Sequence, residues 1–381
     1  MIKLYNSLTQ QIELFTPNTQ GQIGMYVCGI TPYDTTHLGH AFTYIHFDVL
    51  YRVLEALGNT VNYTQNVTDI DDDILKRAKR DSQDWKELGI FWTEKFQKDL
   101  KQLNTVKPTH YVKATDTMKT IIQFVTKLVK DGYAYESKGN VYFDVAKDPT
   151  YGKLSHLSER EMITLSKDRG ADPDDPRKKH PLDFILWQKS LPDEPSWNSP
   201  WSWGRPGWHI ECSAMAYKYI DKKVDIHGGG IDLIYPHHES EIAQSEHFTG
   251  EKPFVQIWMH TGAVAYQGEK MSKSLGNLVL VSDLLKTYSA NAIRYMLLSN
   301  HYRSPWEYTE KDIEKAATSV KNIEKALEST PSETVKNVSV PDSLLNDLGT
   351  PKALQEIEQC LHAKQFAEAK DLWMLLGFNE E

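Results

Sequence analysis

Cysteine is scarce in this chain. There are three in 381 residues, Cys28, Cys212 and Cys360, and no Cys-x-x-Cys pair. That count and spacing exclude a disulfide framework, and a reducing, cytoplasmic setting is expected. Long apolar runs are missing as well, and none approaches the ~20 residues that span a bilayer. The opening Met1 to Thr9 has no basic region leading into an apolar core, so no signal peptide is expected. Excess basic charge is also absent: 43 Lys and Arg face 52 Asp and Glu, for a net charge of −9. Most of this acidity sits from Trp306 onward, where 8 Lys and no Arg stand against 15 acids. A surface that tracks a phosphate backbone is basic, and this tail lacks that character. There is no internal repeat.

What is present is an ordinary globular composition, 40% hydrophobic and 25% charged, long enough for two or three domains. Residues 1–24 read as a hairpin leading to a first core strand. The apolar run Ala41 to Leu57 reads as a helix ended by Gly58, and Thr60 to Thr68 as the next strand of a parallel sheet. Two helices separated near Pro108 are expected over 86–132. The character changes at 133–200, which holds a strand at Asn140–Val145 and a Pro- and Trp-rich run from Leu191 to Pro206; this reads as an insertion. Sheet-and-helix pattern returns at 207–265. A helix is expected at Asn291–Ser299, an amphipathic helix at 309–329, a linker at 330–341, and one or two short helices to Phe378.

The chain is organised around Met25-Tyr-Val-Cys-Gly-Ile-Thr-Pro-Tyr-Asp-Thr-Thr-His-Leu-Gly-His40. A strand that turns sharply into a helix aims backbone N–H groups at its mouth, which makes an anion site. His37 and His40 add imidazoles there, and Gly39 allows close approach of a ligand. Far downstream, Glu269-Lys-Met-Ser-Lys-Ser274 carries two lysines in a Ser-rich loop. Cys28, Cys212, His237 and Glu241 form a possible zinc set of two thiolates, an imidazole and a carboxylate. As bare residues, buried free cysteines and a His-x-x-x-Glu pair on a helix are the commoner reading. Pro236 suits the first turn of that helix.

Together the first stretch and Lys270-Met-Ser-Lys-Ser274 resemble the His-x-Gly-His and Lys-Met-Ser-Lys-Ser signatures of class I aminoacyl-tRNA synthetases. More closely, residues 1–305 resemble the cysteinyl-tRNA synthetase family. The matching pieces are Tyr-Val-Cys-Gly at 26–29, Asn-Val-Thr-Asp-Ile-Asp-Asp at 66–72, Gly-Trp-His-Ile-Glu-Cys-Ser-Ala-Met-Ala at 207–216, His-Gly-Gly-Gly-Ile-Asp-Leu at 227–233, Pro-His-His-Glu at 236–239 and Gly-Glu-Lys-Met-Ser-Lys-Ser-Leu-Gly-Asn at 268–277.

The resemblance implies an α/β fold: a Rossmann-type parallel sheet (1–132 and 201–265) interrupted by an inserted α+β segment (133–200). The lysine-loop region would follow (266–304), then a C-terminal helical bundle (305–381) without an α/β anticodon-binding domain. It implies one Zn2+ held by Cys28, Cys212, His237 and Glu241, with His238 and Glu239 as neighbouring alternatives. It implies that L-cysteine is activated by ATP with Mg2+. His37 and His40 would hold phosphates, Lys270 and Lys273 would neutralise pyrophosphate, and Gly39, Gly229, Gly230, Asp232 and Lys273 would bind the nucleotide. Cys28, Gly29, Thr31, Thr43, Asn66, Thr68 and Trp208 would line the amino-acid site, with Trp208 equally readable as core.

The expected acceptor is tRNA-Cys. An alternative is the amine of glucosaminyl-inositol, the acceptor of the related mycothiol-pathway ligase. Gly-Ile-Thr-Pro-Tyr-Asp at 29–34, Asp-Arg-Gly-Ala-Asp-Pro at 168–173 and Asp73 are closer to that ligase. A reading of another class is a non-catalytic paralogue that binds cysteine or RNA; the intact His37, His40, Lys270 and Lys273 argue against it. A monomer is expected, and no membrane partner.

Overall fold

The computed structural model describes residues 1–271, 275–328 and 339–379. Lys273 and most of the linker expected at 330–341 lie outside the described residues. The chain opens with the hairpin β1 (Lys3–Asn6) and β2 (Gln11–Leu14). Then follow β3 (Gln22–Ile30), α1 (Leu38–Ala56), β4 (Thr60–Val67), α2 (Asp72–Asp81), α3 (Trp85–Gln102) and β5 (His110–Lys113). Strand β5 departs from the expectation of two helices with only a break between them. It has four residues and too little pattern of its own. Pairing with β4, from Thr64 beside His110 to Val67 beside Lys113, makes it a strand.

Next, α4 (Met118–Lys130) leads into β6 (Ala134–Ser137), β7 (Asn140–Phe143), α5 (Glu159–Asp168), β8 (Phe184–Lys189), β9 (Trp197–Asn198) and β10 (Trp203–Pro206). These strands make an antiparallel sheet in the order β6-β7-β8-β10-β9. Phe124, Phe143, Leu186 and Trp187 give it an apolar core of its own. Helix α5 starts on a reciprocal cap between Ser158 and Glu161.

The chain then returns through α6 (Trp208–Tyr219), β11 (Val224–Gly230), α7 (Glu239–Thr249) and β12 (Val255–Thr261). The central sheet, β12-β11-β3-β4-β5, is parallel throughout. Its order reverses between β3 and β11, so the ligand crevice lies beyond the carboxyl ends of those two strands. Glycine sets the fit there. A Cβ on Gly228 would lie 2.2 Å from Phe47 Cζ of α1 and 2.5 Å from the Met259 carbonyl oxygen. A Cβ on Gly29 would lie 1.6 Å from the Asn66 carbonyl oxygen.

After β12 come β13 (Val264–Tyr266), β14 (Glu269–Lys270), α8 (Val281–Leu284), α9 (Ala290–Leu298), β15 (Trp306–Glu307) and α10 (Glu310–Leu327). The tail holds α11 (Asp342–Leu345), α12 (Thr350–His362) and α13 (Phe366–Leu375), three helices rather than one or two. Their apolar faces, including Ile357 and Trp373, join the same core as β3 and α1. Arg294 of α9 pairs with Asp48 of α1, and each is 1% exposed. The same guanidinium donates to the carbonyls of Leu103 and Leu376. Cys360 packs half-buried at the edge of this core. Among the described residues, no helix is long and apolar enough to cross a membrane.

Candidate metal and nucleotide site

Cys28, at the end of β3, meets Cys212 of α6, His237 in the turn before α7 and Glu241 in its first turn. One donor atom from each lies within 4.8 Å of the others, and all four residues are buried. The helix begins at Glu239, after an irregular turn in which Tyr235 is extended, so Pro236 precedes the helix instead of opening it. His237 still reaches forward, its Nε2 3.1 Å from Glu241 Oε1. Cys28 Sγ lies 3.8 Å from Cys212 Sγ and 3.7 Å from Glu241 Oε1. Two thiolates about 2.3 Å from one tetrahedral zinc stand ~3.8 Å apart. The donor set and its spacing are therefore compatible with zinc.

A second group overlaps the first: Cys28, His227, His238 and Glu241. Softness favours the set with two sulfurs for zinc. The remaining histidines fit an orienting role. His227 Nε2 lies 3.0 Å from Glu241 Oε2, the oxygen facing away from His237. His238 Nε2 lies 3.2 Å from Cys28 Sγ, and its Nδ1 2.8 Å from His260, which in turn contacts Ser7. His209 Nδ1 lies 2.9 Å from His237 Nδ1.

The electrostatics follow from burial and pairing. Burial works against ionising Cys212, but Cys28 and the His237 imidazole draw it down to about 6. Burial also works against the His237 cation, yet Cys212 and Glu241 raise it to about 10. Burial opposes the Glu241 carboxylate, and His227 and His237 hold it at about 2. Burial, then Cys212 and Glu241, push Cys28 well up. Burial lowers His209 and His260 to about 3 each. The Cys212 thiol and the Glu241 carboxyl are thus drawn toward their charged forms, facing a His237 drawn toward its cation.

The mouth of α1, expected to take phosphates, adjoins this cluster. Helix α1 starts at Leu38, three residues earlier than the apolar periodicity indicates, because His37 caps it and accepts the Gly39 N–H at 3.1 Å. The His37 and His40 rings stack 3.8 Å apart. Thr43, one turn further on, contacts Thr261 at the end of β12 at 2.7 Å. The segment after the lysine loop is tied to this helix mouth. Leu38 donates to Val279 O at 3.0 Å, and Val281 to Thr36 O at 3.1 Å. Gly229 and Gly230 end β11, and a Cβ on Gly229 would lie 3.5 Å from Cys28 Cβ. Asp232 lies just beyond, its carboxylate 3.8 Å from Lys270 Nζ and its carbonyl 2.9 Å from the Arg169 guanidinium of the insertion.

Among the residues expected to line the amino-acid site, Asn66 accepts the Gly29 N–H at 2.8 Å and reaches Thr68 Oγ1 at 3.4 Å. Thr31 is half-buried in the turn after β3. Trp208 stacks on His237, ring centres 4.2 Å apart, which puts it at the cluster rather than in the apolar core. Asp71 caps α2, Asp72 and Asp73 stand in its first turn, and Asp72 pairs with Arg205. Glu239, the neighbouring alternative ligand, accepts the N–H groups of Leu154 and Ser155 instead. A cavity of about 460 Å3, lined by Asp72, Tyr142, Arg177, Arg205, His209 and Pro236 among others, opens between the inserted sheet and the cluster.

Sequence reasoning passed over His209, His227 and His260, which stand outside any ligand spacing, and Glu211. The Glu211 side chain is fully buried, and neither of its oxygens has a hydrogen-bond partner. Burial, then Cys212, Asp71 and Asp69, push it well above the ordinary carboxyl range.

The family model for the catalytic domain of class I (C) tRNA synthetases matches residues 14–318. A cysteine–tRNA ligase of Thermococcus onnurineus is 50% identical, over 86% of this chain and 68% of its own length. The one of Pyrococcus furiosus is 51% identical over 82% of this chain and 65% of its own. The one of Legionella pneumophila is 44% identical over 99% and 85%. The chain thus spans about two thirds of its archaeal relatives. Among solved structures, Mycobacterium tuberculosis methionyl-tRNA synthetase with methionyl-adenylate superposes with a TM-score of 0.64 at 17% identity, over 94% of this chain and 82% of that one. At that identity the likeness concerns the fold. On the family match and the extent of these identities, the chain belongs to the cysteine–tRNA ligase family of class I aminoacyl-tRNA synthetases.

Proposed function

We propose that this chain activates L-cysteine with ATP, forming cysteinyl-adenylate and pyrophosphate, and then transfers cysteine to the 3′ end of tRNA-Cys. The observation that carries the reading is the buried Cys28–Cys212–His237–Glu241 cluster, set at the switch crevice beside the mouth of α1. The relatives are named cysteine–tRNA ligases, which supports tRNA as the acceptor.

Cys28, Cys212, His237 and Glu241 would hold one zinc ion, which supplies a position selective for the substrate's sulfur over a hydroxyl. The attacking group is the cysteine carboxylate, already ionised, so the chain needs no general base. Its work is positioning and charge neutralisation. The N–H groups at the mouth of α1, with His37 and His40, hold phosphate oxygens. Lys270 would leave Asp232 to neutralise the departing pyrophosphate, Lys273 would add a second charge, and Mg2+ would supply further charge neutralisation. Asp232 is then available to a ribose hydroxyl, and Gly229 and Gly230 admit the adenosine. Thr68 and Trp208 frame the amino acid, with Gly29, Thr31, Thr43 and Asn66 shaping the crevice around it.

The test is pyrophosphate exchange followed by transfer. Purified protein with ATP should exchange pyrophosphate with L-cysteine and not with L-serine. Offered labelled cysteine with tRNA-Cys and glucosaminyl-inositol side by side, it should label the tRNA. Label on the amino sugar alone would replace the acceptor assignment, and no cysteine-dependent exchange would overturn the activation reading.

A further inference from the structure

We propose that Glu211 is the counter-group for the α-ammonium of the substrate amino acid, so that substrate is read at two ends, sulfur by the metal cluster and nitrogen by Glu211. This rests on the activation reading above. L-Cysteine is short, and its nitrogen lies only a few bonds from its sulfur. An acceptor for the ammonium must therefore stand close to the metal cluster. Glu211 precedes Cys212 on the first turn of α6. The Thr68 hydroxyl lies beside it, without the geometry of a full hydrogen bond, and Thr68 is linked through Asn66 to Gly29 at the end of β3.

The other carboxylates around the crevice are engaged. Glu241 faces His227 and His237. Glu239 accepts from Leu154 and Ser155. Asp69 accepts from the N–H and hydroxyl of Thr115. Asp71 caps α2, Asp72 meets Arg205, and Asp232 meets Lys270. Among the described residues, Glu211 is the one carboxyl whose two oxygens are both buried and without a hydrogen-bond partner. Buried acceptors are satisfied as a rule, and exceptions call for a missing partner. An ammonium brings three N–H donors and the matching charge. The buried Arg205 guanidinium is committed to Asp72.

The experiment compares L-cysteine with 3-mercaptopropionate, which keeps the thiol and carboxylate and lacks the amine. A site built around a substrate N–H rejects the analogue that lacks it, so the metal-loaded wild-type protein should bind L-cysteine at least ~100-fold more tightly by calorimetry. Glu211→Gln should cut that ratio by ~10-fold or more, mainly by weakening cysteine, with 3-mercaptopropionate affinity and the KM for ATP nearly unchanged. Glu211→Asp should restore part of the ratio.

Equal loss for both thiols in Glu211→Gln, or an unchanged ratio, would overturn the assignment. So would a wild-type protein that binds the two within about threefold, a result that needs no variant to fold. Because calorimetry does not depend on turnover, a wild-type protein that discriminates the thiols but exchanges no pyrophosphate would fail the activation reading and leave Glu211 standing.

Discussion

Cys28 and Cys212 bring their sulfurs within 3.8 Å of each other although 184 residues separate them. One ends a strand of the first half of the central sheet. The other lies on the helix by which the chain re-enters that sheet after the inserted strands. The donor set is thus a product of the topology, and His237 and Glu241 complete it from the next crossover.

Ligands and their supports should separate in metal content. Cys212→Ser should abolish stoichiometric zinc and lower cysteine-dependent exchange by orders of magnitude. His227→Gln, which loses the contact to the outer oxygen of Glu241 and the stacking on Trp258, should weaken metal affinity by roughly 10–100-fold while keeping the same ligands. Metal analysis after dialysis against graded chelator reads the difference. Equal loss in both variants would contradict the division.

Lys270 stands free of the metal cluster, 3.8 Å from Asp232. Lys270→Ala should lower the turnover of pyrophosphate exchange by ~100-fold or more, the scale of losing one preorganised charge in a transition state. Cysteine binding to the metal-loaded protein should be unchanged. Steady-state exchange with calorimetry checks both, and a parallel loss of cysteine affinity would contradict the assignment.

Acid should destabilise the fold through His46. This residue is buried in α1, its Nδ1 2.8 Å from the Phe42 carbonyl and its Nε2 3.2 Å from the Asn300 carbonyl. Burial lowers it to about 4, the two carbonyl contacts oppose that, and the neighbours His301 and Arg294 lower it further. The unfolded chain protonates near 6.5 and the folded one near 4, so the stabilisation is present above 6.5 and lost as pH falls from 6.5 through 4. The linked loss is about 3 kcal/mol. Urea midpoints at pH 7.5 and 4.5 should differ less in His46→Gln than in the wild type.

The C-terminal helices are anchored to the catalytic sheet by the Asp48–Arg294 pair and its two carbonyl contacts. Arg294→Met leaves Asp48 with Arg52 and the Val106 N–H but takes a buried donor from it and from two carbonyls, and should cost about 2–3 kcal/mol. It should also expose α13 to early proteolysis. Chemical denaturation and limited digestion would show both, and a loss below ~1 kcal/mol would contradict the buried-pair account.

Much of this architecture is written locally. The apolar run of α1, the strand Thr60–Val67 and the amphipathic α10 follow from periodicity and their end signals. Strand β5 does not, because four residues take their conformation from a neighbouring strand. The start of α1 was hidden because a histidine, rather than Ser or Asp, caps it. Among the site residues, Cys28, Cys212, His237 and Glu241 were reached through resemblance, since no local spacing unites them. His209, His227, His260 and Glu211 were missed because their roles depend on partners brought together only by folding.

The most direct measurement is the visible spectrum of the cobalt-substituted protein as amino acid is added. The account predicts one cobalt per chain, with thiolate-to-metal bands from two cysteines. Those bands should strengthen and shift on adding L-cysteine and stay unchanged with L-serine. A protein that forms cysteinyl-adenylate while its cobalt spectrum ignores cysteine would contradict selection by sulfur.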